Sequence, residues 1–111
     1  MRNTSHTTVV KELKSGDIVR LDFRWSTVKK RVSDFAINVS ILKDEKSIDV
    51  YRVDTKHKHL HEQKFWKSPR PMPIDMDYND AFIKKKEEVF NNYERWVKLF
   101  KIAKNRGEIN G

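Results

Sequence analysis

Between Asp17 and Ser26 the chain alternates. Val19, Leu21, Phe23 and Trp25 fall on one side, and Arg20, Asp22 and Arg24 on the other. Successive side chains of a strand point to opposite faces, so this is the pattern of a half-buried strand. A second alternation runs from Val32 to Leu42, with Phe35, Ile37, Val39 and Ile41 inward and Asp34, Asn38 and Ser40 outward. Lys29-Lys30-Arg31 is expected to turn the first strand into the second. Lys43-Asp44-Glu45-Lys46 is expected to be a hairpin loop into a third strand, Ser47 to Asp54. A fourth strand is expected from His57 to Trp66. Short connections between consecutive strands favour an antiparallel meander.

Three prolines in Ser68-Pro69-Arg70-Pro71-Met72-Pro73 supply no backbone donors and are expected to end the sheet. Beyond them the period changes. Phe82, Val89, Tyr93, Trp96, Phe100 and Ala103 recur at helical spacing, which predicts a helix from Tyr78 to Asn105. Asp77 is a suitable N-cap, Asp80 favours the first turn, and Gly107 provides a stop. The expected architecture is α+β: a four-stranded antiparallel meander with one long C-terminal helix on one face. Its divisions are 1–16, a flexible N-terminal segment; 17–66, the sheet; 67–76, a proline-rich linker; and 77–106, the helix. Trp25 and Trp66, at strand ends beside basic residues, are expected to pack rather than stack on bases.

At 111 residues the chain is one domain, and no Cys is available for a disulfide or a thiolate metal site. The N-terminal stretch has no apolar signal core and no apolar run approaches spanning length, so a cytoplasmic protein without a membrane partner is expected. Charge changes the picture more. A net +8 and a pI near 9.8 favour polyanions, RNA above all. Lys29, Lys30, Arg31, Lys56, Lys58, Lys64 and Lys67 are the candidate nucleic-acid contacts.

Within the basic stretch VYRVDTKHKHLHEQKF, His57, His59 and His61 alternate strictly. On a strand they would share a face. A tight turn at Thr55-Lys56 would set Asp54 opposite His57, Arg52 opposite His59, Val50 opposite His61 and Ile48 opposite Gln63. Imidazoles suit proton transfer near neutrality. RNA cleavage without a metal needs one group to take the 2′-hydroxyl proton, another to protonate the leaving oxygen, and a cation for the developing phosphorane charge. Histidines with Arg52, Lys56 or Lys58 would supply these, and Asp54 would orient its imidazole. One metal held by all three histidines is disfavoured, because three such residues span about 13 Å. Two readings stay open beside this one: a noncatalytic nucleic-acid-binding or inhibitor-like partner-binding domain, and a His-metal-dependent nuclease. No glycine-rich phosphate loop or other cofactor motif is present. His6, alone near the start, is expected to play no part.

Tyr51-Arg52-Val53-Asp54 followed by His57, His59 and His61 resembles small prokaryotic toxin-like proteins of the TumE type, which carry a Tyr-x-x-Asp element at a strand end and clustered histidines soon after. The likeness is close over residues 47–66 and loose over the strand-then-helix layout. It departs at Lys56 and Lys58, where such motifs often have small residues, and in the Pro-Arg-Pro-Met-Pro linker. The resemblance implies a ribonuclease-like toxin on an α+β scaffold, an antitoxin partner, and a site of Tyr51, Asp54, His57, His59 and His61 with Arg52 beside them.

Overall fold

The computed structural model describes residues 2–107. Among these residues six strands form one antiparallel sheet in chain order: β1 (Arg2–Glu12), β2 (Ile18–Val28), β3 (Arg31–Lys43), β4 (Lys46–Asp54), β5 (His61–Lys64) and β6 (Met72–Pro73). One helix, α1 (Tyr78–Asn105), crosses a single face of the sheet. The α+β class is as expected, but two strands more than the predicted four are present.

The two additions have different causes. Residues 2–12 form a full strand, not a flexible segment, paired with β2 from Arg2↔Val28 to Glu12↔Ile18 without a bulge. Of its side chains only Val9 is even half-buried, so β1 is held by its ladder and shows no apolar alternation. At the far edge, Met72–Pro73 pairs with β5, and Pro73 is tolerated because an edge strand needs no donor on its outer side. The proline segment therefore extends the sheet by a short strand instead of ending it.

Both long hairpins turn tightly. Val28 pairs with Arg31 and Lys43 with Lys46, leaving Lys29-Lys30 and Asp44-Glu45 as two-residue loops with φ between 51° and 65°. Positive φ at both central residues matches the right-handed twist of the flanking strands. A bulge at Val39/Ser40 leaves Val50 unopposed on β4, so that Val50 and Tyr51 are both fully buried.

The helix has the predicted bounds. Asp77 accepts a hydrogen bond from the backbone N–H of Asp80 at 3.1 Å, and Gly107 leaves the last turn at φ 72°. Phe82, Val89, Trp96, Phe100 and Ala103 are buried and Tyr93 is half-buried against the sheet. Phe82 meets both Trp25 and Phe35, at centroid distances of 5.2 and 5.3 Å. Tyr51 stacks on Trp96 at 4.2 Å, an arrangement worth about 1 kcal/mol beyond the area it buries. Trp66 lies 5.7 Å from Trp96, so Trp25 and Trp66 both contact the core aromatics.

One position in the helical stripe is not apolar. Lys85, between Phe82 and Val89, is buried, and its ammonium lies 2.9 Å from Glu62 and 3.1 Å from Glu88. Glu62 also accepts a 2.5 Å hydrogen bond from the Tyr51 hydroxyl. Burial penalises the Glu62 charge, but Tyr51 and Lys85 outweigh that and hold its carboxyl below the usual range. Burial likewise works against the Lys85 charge, and its two carboxylate partners reverse the sign and raise it. Burial first, then Glu62, pushes the Tyr51 hydroxyl far above the ordinary phenol range, so it stays a donor. This network fastens four-residue β5 to the helix.

Candidate active-site cleft on the open sheet face

The histidine segment does not form the expected strand. After Asp54, Thr55 turns inward and closes the ladder: its backbone N–H donates to the Phe35 carbonyl at 3.0 Å, and its hydroxyl accepts from the Phe35 N–H at 3.0 Å. Lys56–Lys58 then make a single tight turn, with His57 and Lys58 at φ of 60° and 62°. Leu60 drops into the core, and pairing resumes at His61. Two inward residues, Thr55 and Leu60, thus set the loop length, and the register moves by four. Asp54 lies opposite His61, not His57, and Arg52 lies opposite Gln63, not His59. His57 sits on the turn and His59 on the extended residue after it, so the three histidines do not share one strand face. The His59 ring is 6.0 Å from that of His61.

On the face away from the helix, the register aligns side chains in rows. One row crosses five strands: His6, Arg24, Ala36, Asp54 and His61. The next is Thr8, Asp22, Asn38, Arg52 and Gln63. A methyl group at the centre, Ala36, leaves a hollow between longer neighbours. The result is a cleft of about 600 Å³ lined by both rows' charged members, with Lys56 and His57 from the turn and Pro71 from the far edge.

Two His–Asp pairs flank this cleft. His61 Nδ1 is 4.0 Å from Asp54 Oδ1, and Arg52 Nε is 3.5 Å from Asp54 Oδ2. Asp54 also accepts the Lys56 backbone N–H at 3.1 Å, which ties the turn to the carboxylate. At the other end His6 Nε2 is 3.6 Å from Asp22 Oδ1. Asp22 is itself held by the Thr8 hydroxyl and by Arg20 Nε, each at 2.7 Å. His6, expected to be idle, is therefore part of the lining. Its partner is 16 residues away in sequence, and only the β1–β2 pairing brings them together.

Other expected residues lie elsewhere. Tyr51 is on the covered face, buried under Trp96, and does not reach the cleft. Arg31 bonds the helix cap Asp77 at 3.1 Å, and Lys29 and Lys30 occupy the β2–β3 turn. Lys64 and Lys67 line a separate groove on the helix side with Trp66 and Arg95. Of the expected nucleic-acid contacts only Lys56 lines the cleft, with Lys58 exposed two residues on. Arg24 is the cation that sequence reasoning left out of the site.

No protein-family model, curated protein or solved structure matches this chain. The site therefore stands on its own geometry. Among the described residues, no three His, Asp or Glu side chains converge closely enough to hold one metal ion. Among the described residues no helix is long and apolar enough to cross a membrane.

Proposed function

We propose that this protein is a metal-independent endoribonuclease of toxin type, and that RNA is cut in the open-face cleft beside His61. The observation that carries this reading is the convergence of His61, Asp54, Arg52, Lys56 and His57 on a hollow that also receives Arg24. In the reaction, one imidazole of the His57–His61 pair takes the 2′-hydroxyl proton as that oxygen attacks phosphorus. The other delivers a proton to the departing 5′-oxygen, leaving a 2′,3′-cyclic phosphate and a free 5′-hydroxyl. Arg52 and Lys56 offset the charge that builds on the phosphorane. Asp54 orients the His61 ring.

His6 on β1 stands four strands from β5, about 19 Å between backbones at 4.8 Å per step, and Asp22 and Arg24 on β2 stand three strands away, about 14 Å. That end holds the continuing chain, so the cleft suits an extended strand better than a mononucleotide. The 4.0 Å between His61 and Asp54 exceeds a hydrogen bond, and this looseness also fits a surface that binds RNA without cutting it. Catalytic bonds in a free enzyme often tighten only with substrate.

One assay separates the two. End-labelled RNA is incubated with purified protein in EDTA, beside His61→Ala. Cleavage with cyclic-phosphate ends, reduced about 100-fold or more in the variant, is the expected result. Salt-sensitive binding without scission would instead establish the binding surface. Intact RNA, or equal cutting by the variant, overturns the enzyme reading. In cells, induced expression should arrest growth, and His61→Ala should relieve the arrest. A co-encoded antitoxin is the partner this reading calls for.

A further inference from the structure

The sheet ends differently at its two edges. β6 is two residues long, preceded by Pro71 and itself ending on Pro73, which offers an incoming strand little to pair with. β1 is eleven residues long, regular, free of proline and bulge, and exposed on both faces except at Val9. Among the described residues nothing covers its outer side. Apart from His6, the stretch from Asn3 to Val10 carries no ionisable side chain, so the charges that commonly blunt an edge are confined to its ends.

Two of those end charges, Arg2 and Glu12, are placed antisymmetrically, and the third, Lys11, would face the uncharged Asn3 in a register centred on Thr7. Arg2 lies five residues before Thr7, and Glu12 five residues after it. If two copies of β1 pair antiparallel about a two-fold axis at Thr7, Arg2 of each meets Glu12 of the other. Thr7 then faces Thr7, His6 faces Thr8 and Thr4 faces Val10. Opposite charges and Thr–Thr pairs directly across an antiparallel ladder are favourable. The interface is isologous, as a two-fold dimer requires.

We infer that this chain self-associates through β1, edge to edge and in the register centred on Thr7, to give a twelve-stranded sheet across two protomers. Residues facing each other across antiparallel strands lie on the same face, so the open faces of both copies become one surface. The two His6–Asp22 ends meet at the seam and the two His61 ends lie outermost. One strand edge is a small interface beside the roughly 800 Å² per partner of a standard stable complex. The association is therefore expected to be concentration-dependent. It does not depend on whether RNA is cut.

Charge exchange tests the register. Monomer–dimer constants are measured at low ionic strength by sedimentation velocity over a concentration series. Neither Arg2 nor Glu12 belongs to the cleft. R2E puts two carboxylates opposite Glu12 and E12R puts two guanidiniums opposite Arg2, so each alone should dimerise about tenfold more weakly or worse. An equimolar mixture of R2E and E12R restores both pairs in the heterodimer, and R2E/E12R restores them in one chain. Both should recover wild-type association. Arg2 also bonds Asp34 at 2.9 Å within its own chain, but E12R leaves that contact intact. Recovery on mixing therefore cannot come from Asp34. A wild type that stays monomeric at the highest soluble concentration overturns the inference. So do single variants that dimerise as well as wild type, or a mixture that fails to recover.

Discussion

The two faces of this sheet use charge in opposite ways, although they are built from alternate residues of the same strands. On the covered face, Tyr51, Glu62 and Lys85 meet at 2.5 to 2.9 Å, shielded by the helix. On the open face, Arg52, Asp54 and His61, from alternate positions of the same two strands, stand 3.5 to 4.0 Å apart and reach solvent. Closely paired, desolvated groups cannot exchange their partners cheaply, so the covered set holds the structure. The open set keeps unsatisfied capacity, and that capacity is what a ligand can use.

Substitutions on the two faces should therefore separate stability from chemistry. The largest stability effect belongs under the helix. Lys85→Ala strands Glu62 without its cation and is expected to cost about 3 kcal/mol in urea unfolding with an unchanged m-value. His61→Ala on the open face should leave the unfolding midpoint where it is. Tyr51→Phe comes next: losing a hydrogen bond to a buried carboxylate costs about 2 kcal/mol, while any RNA cleavage survives in the folded fraction. Loss of cleavage in folded Tyr51→Phe would erase the division between the faces.

The pH dependence follows from the same network. Glu62 is held below its ordinary value, so its contribution is complete above about pH 4.5 and is lost as pH falls through the lowered value. Lys85 is raised, so its contribution is complete below about pH 10.5 and is lost only as pH climbs beyond it. Thermal midpoints should thus fall on the acid side first, and Glu62→Gln should flatten that limb. Smaller again is the salt effect. Arg24→Ala and Arg52→Ala should each lower the slope of RNA affinity against log salt by about one, whereas Lys29→Ala should leave it unchanged. Smallest is Glu45→Gly in the β3–β4 turn. It relieves a positive φ and should stabilise by about 0.5 kcal/mol without touching either face.

What the sequence revealed depended on burial. Strands β2 and β3 and the helix each have one apolar side, and their periods located them nearly to the residue. β1 buries almost nothing, so Thr-Ser-His-Thr-Thr carried no alternation to read. The histidines did alternate, but two inward residues, Thr55 before His57 and Leu60 before His61, turned that period into a loop. Lys85 went unread among the helix's many lysines, although a charge between Phe82 and Val89 in an apolar stripe demands a buried partner. The His6–Asp22 pair could not be read locally, because only the strand pairing creates it.

Ala36 has the last consequence. It is the floor tile of the cleft, and every ionisable group around it belongs to another residue. A bulkier side chain there, as in Ala36→Leu, would act as a plug: it would fill the hollow while each His, Asp and Arg kept its place. Such a protein would separate occupancy from chemistry, with its full set of acids and bases assembled around a space no substrate can enter.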